Sequence, residues 1–119
     1  MIIQYCSDLH LEFPENRKFL KENPIEAVGD ILILAGDILP FAIDHKKVEF
    51  FDYVSENFRE VYWLPGNHEY YYSDISEFGS VQFKKIRDNV YVVNNRTIES
   101  EGVNLIFSTL WTCIKPENE

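Results

Sequence analysis

Apolar and polar positions divide the chain into short blocks of strong contrast. Ile2 to Cys6 is a mainly apolar run, followed by a polar stretch from Ser7 to Glu15. Asn16 to Glu22 predicts a short helix, ended by Asn23-Pro24 because the residue before a proline is pushed out of the helical region. Ile31-Leu32-Ile33-Leu34-Ala35 is apolar without a break. Continuous apolarity over that length suits a strand buried on both faces. Asp44 can cap a helix reaching about Phe58, with Val48, Phe51, Val54 and Phe58 at helical spacing and facing the core. Val61 to Leu64 reads as a third strand, stopped by Pro65-Gly66. Ser73 to Asp88 predicts a helix on its apolar positions Ile75, Phe78, Val81 and Ile86, with Gly79 an interruption. Tyr91 to Val93, Thr97-Ile98 and Val103 to Phe107 predict a β-meander, with turn chemistry at Asn94-Asn95 and Glu101-Gly102. The first three strands start about 29 residues apart, the size of a βαβ unit. The order is therefore β-α-β-α-β-α and then a meander: an α/β fold with a mixed sheet and helices outside it.

Length and composition narrow the picture. The 119 residues are enough for one domain and too few for two. A hydrophobic share of 45% and an aromatic share of 15% support a packed core and exclude the composition of a disordered chain. No apolar run is long enough to span a bilayer, so no membrane association is expected. Met1 to Tyr5 reads as the first strand and not as a signal peptide, since no basic region precedes a long apolar stretch. Two cysteines, Cys6 and Cys113, are too few for a disulfide framework, and a reducing cytoplasm is the expected location. Cys6, within an apolar strand, reads as a small buried hydrophobe. Acidic residues outnumber basic ones by 20 to 11, for a formal charge of -9. Nothing supplies a basic track for a polyanion, which argues against nucleic acid as a partner. Part of the negative charge can instead serve as ligand carboxylates neutralised by a cation.

Each of the first three strands ends in a polar motif: Asp8-Leu9-His10, then Gly36-Asp37, then Gly66-Asn67-His68-Glu69. Open α/β sheets hold ligands in the crevice beyond the carboxyl ends of their strands, so the three motifs are expected to meet there. Asp8 and Asp37 offer anionic oxygens, His10 an imidazole nitrogen and Asn67 an amide oxygen. A mixed nitrogen and oxygen set suits Mn, Fe or Zn better than Ca, which takes oxygen alone. Gly36 and Gly66 allow sharp turns and close backbone approach. Singly, each motif is ordinary turn chemistry; their order, each directly after a strand, is what carries the reading.

Asp-x-His, Gly-Asp and Gly-Asn-His-Asp/Glu together resemble the signature of the calcineurin-like metallophosphoesterases. The resemblance runs from residue 1 to about residue 112, where Ser108-Thr109-Leu110-Trp111-Thr112 is similar to the family's segment after a later strand. It implies a mixed β-sheet sandwich flanked by helices, four layers in the order αββα, here truncated, with residues 1–119 as the N-terminal part of a single domain. It also implies two divalent metal ions (Mn, Fe or Zn) and hydrolysis of a small phosphoester substrate, as a phosphatase or phosphodiesterase. By resemblance Asp8 and His10 bind the first metal, Asp37 bridges both and Asn67 binds the second. His68 is then the catalytic histidine that protonates the leaving group or steadies the transition state, with Asp8 a candidate carboxylate partner, and Glu69 supports the site.

The chain departs from the family in one respect. The family carries a further histidine and a Gly-His-x-His motif downstream, both metal ligands. Here the histidines are His10, His45 and His68. His45, at a helix start, reads as a surface residue and not as a substitute ligand. The expectation is an incomplete metal site, inactive in this chain alone, and an uncovered apolar surface through which copies associate. The alternative is a non-catalytic interaction scaffold on the same fold. The tyrosines Tyr70-Tyr71-Tyr72, next to the third motif, read as loop packing rather than as a platform for a substrate ring.

Overall fold

A computed structural model describes residues 1–74 and 82–112. Its main sheet has five strands, β1 (Ile3–Cys6), β2 (Ile31–Ala35), β3 (Glu60–Leu64), β4 (Gln82–Arg87) and β5 (Val90–Asn94), in the order β1-β2-β3-β5-β4. β1, β2, β3 and β5 are parallel, and β4 pairs antiparallel with β5. A second sheet is the antiparallel hairpin β6 (Arg96–Ser100) and β7 (Val103–Phe107). The helices are α1 (Pro14–Glu22) and α2 (Glu49–Asn57), with short 3-10 turns at His45–Lys47 and His68–Tyr70.

The strand residues alternate between two cores, as a period of two demands. Leu32, Leu34, Val61, Trp63, Val90 and Val92 face the helices and pack with Phe51 and Val54 of α2. Ile31, Tyr62 and Val93 face the other way, against Leu105 and Phe107 of β7. The sheet is thus covered on both sides, which is why β2 is apolar at every position. The connections through α1 and α2 lie on one face, as right-handed crossovers between neighbouring parallel strands require. The outer side of the small sheet leaves Ile106 78% exposed, and Leu110 beyond it 94% exposed.

Most predicted elements stand where the pattern put them. Asp44 caps only the 3-10 turn, its Oδ1 accepting from Lys46 N–H at 3.0 Å; α2 begins after it at Glu49, with Val48 at its N-cap and no side-chain cap bond, while Val48, Phe51, Val54 and Phe58 are all buried as expected. α1 starts earlier than predicted, at Pro14, because proline is favoured in the first helical turn, where its missing N–H costs nothing.

Two expectations are corrected. The helix predicted over Ser73–Asp88 is not formed over its last part: Gln82–Arg87 is strand β4, while residues 75–81 lie outside the described region. Pairing with β5 decides this. Phe83 stacks on Tyr91 at 5.1 Å, Arg96 lies over the same ring at 4.2 Å, and Ile86 is buried in the helix-side core. Asp88-Asn89 makes the short connection between the two strands. The meander is also divided. Asn95, in the left-handed region at φ 50, breaks the chain away from the main sheet, and Asn94 Oδ1 accepts from Asn95 N–H and Thr109 N–H there. β6 and β7 therefore build a second layer instead of extending the first.

Candidate metal centre

β1, β2 and β3 lie side by side and parallel, so the loops at their carboxyl ends emerge at one rim. Main-chain hydrogen bonds tie the first loop to the second. Asp8 N–H donates to Gly36 C=O at 2.9 Å, His10 N–H to Asp37 C=O at 3.0 Å, and Leu11 N–H to Ile38 C=O at 2.7 Å. The second and third loops touch backbone to backbone. A Cβ on Gly36 would lie 3.0 Å from Gly66 Cα, and a Cβ on Gly66 would lie 2.5 Å from Asp37 Oδ1. Glycine is required at both positions for this contact.

Asp8, His10 and Asp37 all have left-handed backbones, with φ of 59, 47 and 56. Such values are uncommon outside glycine and cost energy, so surrounding structure must hold them. Here the holding structure is the main-chain ladder between the loops. Asn16 Nδ2 adds to it by donating to both Leu9 C=O and His10 C=O. The outcome is a convergence of side chains: one ligand atom from each of Asp8, His10 and Asp37 lies within 4.8 Å of the others. Two carboxylates and an imidazole at that spacing fit a divalent cation of the Mn, Fe or Zn class.

His68 sits at the same rim. Its backbone N–H donates to Asp37 Oδ1 at 2.9 Å. Its ring stacks on Tyr71 at 4.1 Å and meets the His10 ring edge-on at 4.8 Å. Asn67, exposed, stands between Gly66 and His68, both of which touch Asp37. Asp8 approaches His10 Nε2, at 3.8 Å, whereas the carboxylate grouped with His68 is Glu12. Glu12 was not singled out from sequence. Its signal was its place two residues after His10.

Glu69 does more than the sequence suggested. It is fully buried, and its two carboxylate oxygens accept from five donors. The N–H groups of Asp37, Ile38 and Leu39 donate at 2.8, 2.6 and 3.2 Å. Gly66 N–H adds a bond of 2.6 Å and Trp63 Nε1–H one of 3.1 Å. One side chain from the third loop thereby fixes the backbone of the second, including the residue that carries the Asp37 carboxylate. A buried carboxylate is tolerated only with such a full set of donors.

Other titratable groups stand apart. Arg87 Nη1 donates to His45 Nδ1 at 3.2 Å, so the imidazole is an acceptor there and neutral. Burial, helped by Lys84 and Arg87, holds its pKa below the ordinary histidine value. Burial pushes the Cys6 thiol up, away from the thiolate form. Tyr62, buried and donating to Glu60, is likewise raised. Of the tyrosines next to the third motif, Tyr70 packs edge-on against Phe41 at 5.5 Å, Tyr71 lies on His68, and Tyr72 is 82% exposed.

The family model for the calcineurin-like phosphoesterases matches residues 1–115. The chain belongs to that family. The fold described above, a mixed five-stranded sheet with helices on one side and a second sheet on the other, is consistent with membership. The calcineurin-like assignment supports metal-dependent phosphoester hydrolysis in general and implies use of a divalent metal. An uncharacterized protein of Acanthamoeba polyphaga mimivirus is 36% identical over 133 residues, covering 95% of this chain and 45% of its own length. The chain therefore spans less than half the length of the curated relative it matches. No solved structure matches significantly. Among the described residues, no helix is long and apolar enough to cross a membrane.

Proposed function

We propose that the protein hydrolyses a small phosphoester with two divalent metal ions, and that residues 1–119 are the N-terminal part of one phosphoesterase domain. The observation that carries this is the meeting of Asp8, His10 and Asp37 within 4.8 Å, each on a left-handed backbone. Strain of that kind is retained where function depends on it, which also disfavours the scaffold reading.

In this proposal Asp8 and His10 hold one cation, Asp37 is shared, and Asn67 contributes its amide oxygen to the second. Cations held there would supply Lewis-acid charge for the phosphoryl oxygens and would lower the pKa of a water toward neutral. Asp37 keeps its orientation through His68 N–H on Oδ1 and through Glu69 on its own N–H. His68, steadied by Tyr71, gives a proton to the departing alkoxide. Asn67 is exposed, so in this reading its amide can also meet an arriving phosphoryl group.

The test is hydrolysis of p-nitrophenyl phosphate and its bis ester by the full-length protein with Mn, Zn or Fe. Hydrolysis should require the metal. His68→Asn should lower kcat roughly 10²–10⁴-fold, the range for general-acid groups, with metal affinity retained. Absence of turnover with every metal on both substrates, or turnover indifferent to chelation, would overturn the proposal.

A further inference from the structure

We propose that Glu12 is a positioning residue shared by the two imidazoles of the rim, holding His10 through Oε1 and His68 through Oε2. The inference rests on reading Asp8, His10 and Asp37 as a metal centre. Glu12 Oε1 lies 3.1 Å from His10 Nδ1. The Glu12 side chain is only 13% exposed, and its Oε2 is buried without a hydrogen-bond partner among the described residues. A ligand atom from each of His10, Glu12 and His68 lies within 4.8 Å of the others.

An ionised carboxylate only accepts, so the His10–Glu12 bond requires the proton on Nδ1. That leaves the lone pair on Nε2, the nitrogen that faces Asp8 at 3.8 Å. Carboxylate–imidazole pairs of this kind set the tautomer and raise the basicity of a ligating histidine. The second oxygen needs a donor, since a buried acceptor left unmet is costly. The His68 imidazole is the nearby donor, with one of its ring nitrogens within 4.8 Å of a Glu12 carboxylate oxygen. Tyr71 already fixes the plane of that ring, so a bond to Oε2 would need a short side-chain adjustment and would leave the other nitrogen of His68 facing the open site. A single carboxylate would in this way aim the ligand nitrogen of His10 and the free nitrogen of His68 together.

The test uses purified full-length protein with 15N-labelled histidine rings. In the metal-free wild type, NMR should show His10 as a single tautomer protonated on Nδ1, and His68 also as a single tautomer. In Glu12→Gln both rings should become tautomer mixtures, and zinc affinity by equilibrium dialysis should fall about 10–100-fold. Asp8→Asn is the control for the metal centre. If wild type binds no zinc or manganese and Asp8→Asn changes nothing, the metal reading fails while the tautomers still judge Glu12. If Asp8→Asn weakens binding but Glu12→Gln matches wild type in affinity and tautomers, the Glu12 proposal is overturned. Should Glu12→Gln fold poorly, the wild-type spectrum decides: His10 protonated on Nε2, or His68 in a tautomer mixture, overturns it.

Discussion

Glu69 and Gly66 show how single residues hold the rim together. Removing the Glu69 carboxylate strands five neutral N–H donors around a buried void, and leaving a buried donor unmet costs about 1–3 kcal/mol. Glu69→Ala is therefore expected to lower unfolding free energy by at least about that amount in urea titrations. Glu69→Gln should cost less, because one acceptor oxygen remains. A loss below about 1 kcal/mol for the alanine variant would mean that water replaces the carboxylate without difficulty. Gly66→Ala makes a different demand. Its methyl would lie 2.5 Å from Asp37 Oδ1 and 3.0 Å from Asp37 N, so the carboxylate must move. Overpacking of this kind costs about 1–3 kcal/mol, and the displaced Asp37 should weaken manganese binding measured by calorimetry. Unchanged affinity in a folded Gly66→Ala protein would show that Asp37 is not a ligand.

Elements are tied to one another by polar groups that the apolar pattern does not display. Arg87, at the end of β4, donates to Asp52 of α2 at 2.7 Å and to both Nδ1 and the carbonyl of His45 at 3.2 and 3.0 Å. These bonds join the edge of the sheet to the turn before α2. Because burial and the neighbouring cations hold the folded pKa of His45 below its ordinary value, the unfolded chain binds the extra proton more readily. The stabilisation is present above the unfolded value of 6.5 and is lost as pH falls from there through the folded value. Urea midpoints between pH 7.5 and 5 should fall more steeply for wild type than for His45→Gln. Parallel pH profiles for the two proteins would remove His45 from the account.

At the scale of the whole molecule, parallel order along β1-β2-β3 is what makes a site: it brings three loop ends to one rim, and the two cores keep them there. A cation bound at that rim binds only the folded form, so it should stabilise by about 2.7 kcal/mol at one hundred times its dissociation constant. Thermal melts with and without manganese are expected to show that rise in wild type and not in Asp37→Asn. Equal shifts in the two proteins would place the cation elsewhere. The sequence by itself determined the strands that end in the motifs, because β2 and β3 are apolar enough, and the glycines and prolines after them sharp enough, to be read locally. It also determined the chemical types that meet at Asp8, His10, Asp37 and His68. It could not determine that Gln82–Arg87 is a strand, since its polar residues pair with β5 only once β5 has joined β3. Nor could it reveal Glu12 beside two imidazoles or Glu69 beneath five donors. His68 lies on a different loop from Glu12, as Asp37, Ile38 and Leu39 do from Glu69, and only closure of the sheet brings these groups together.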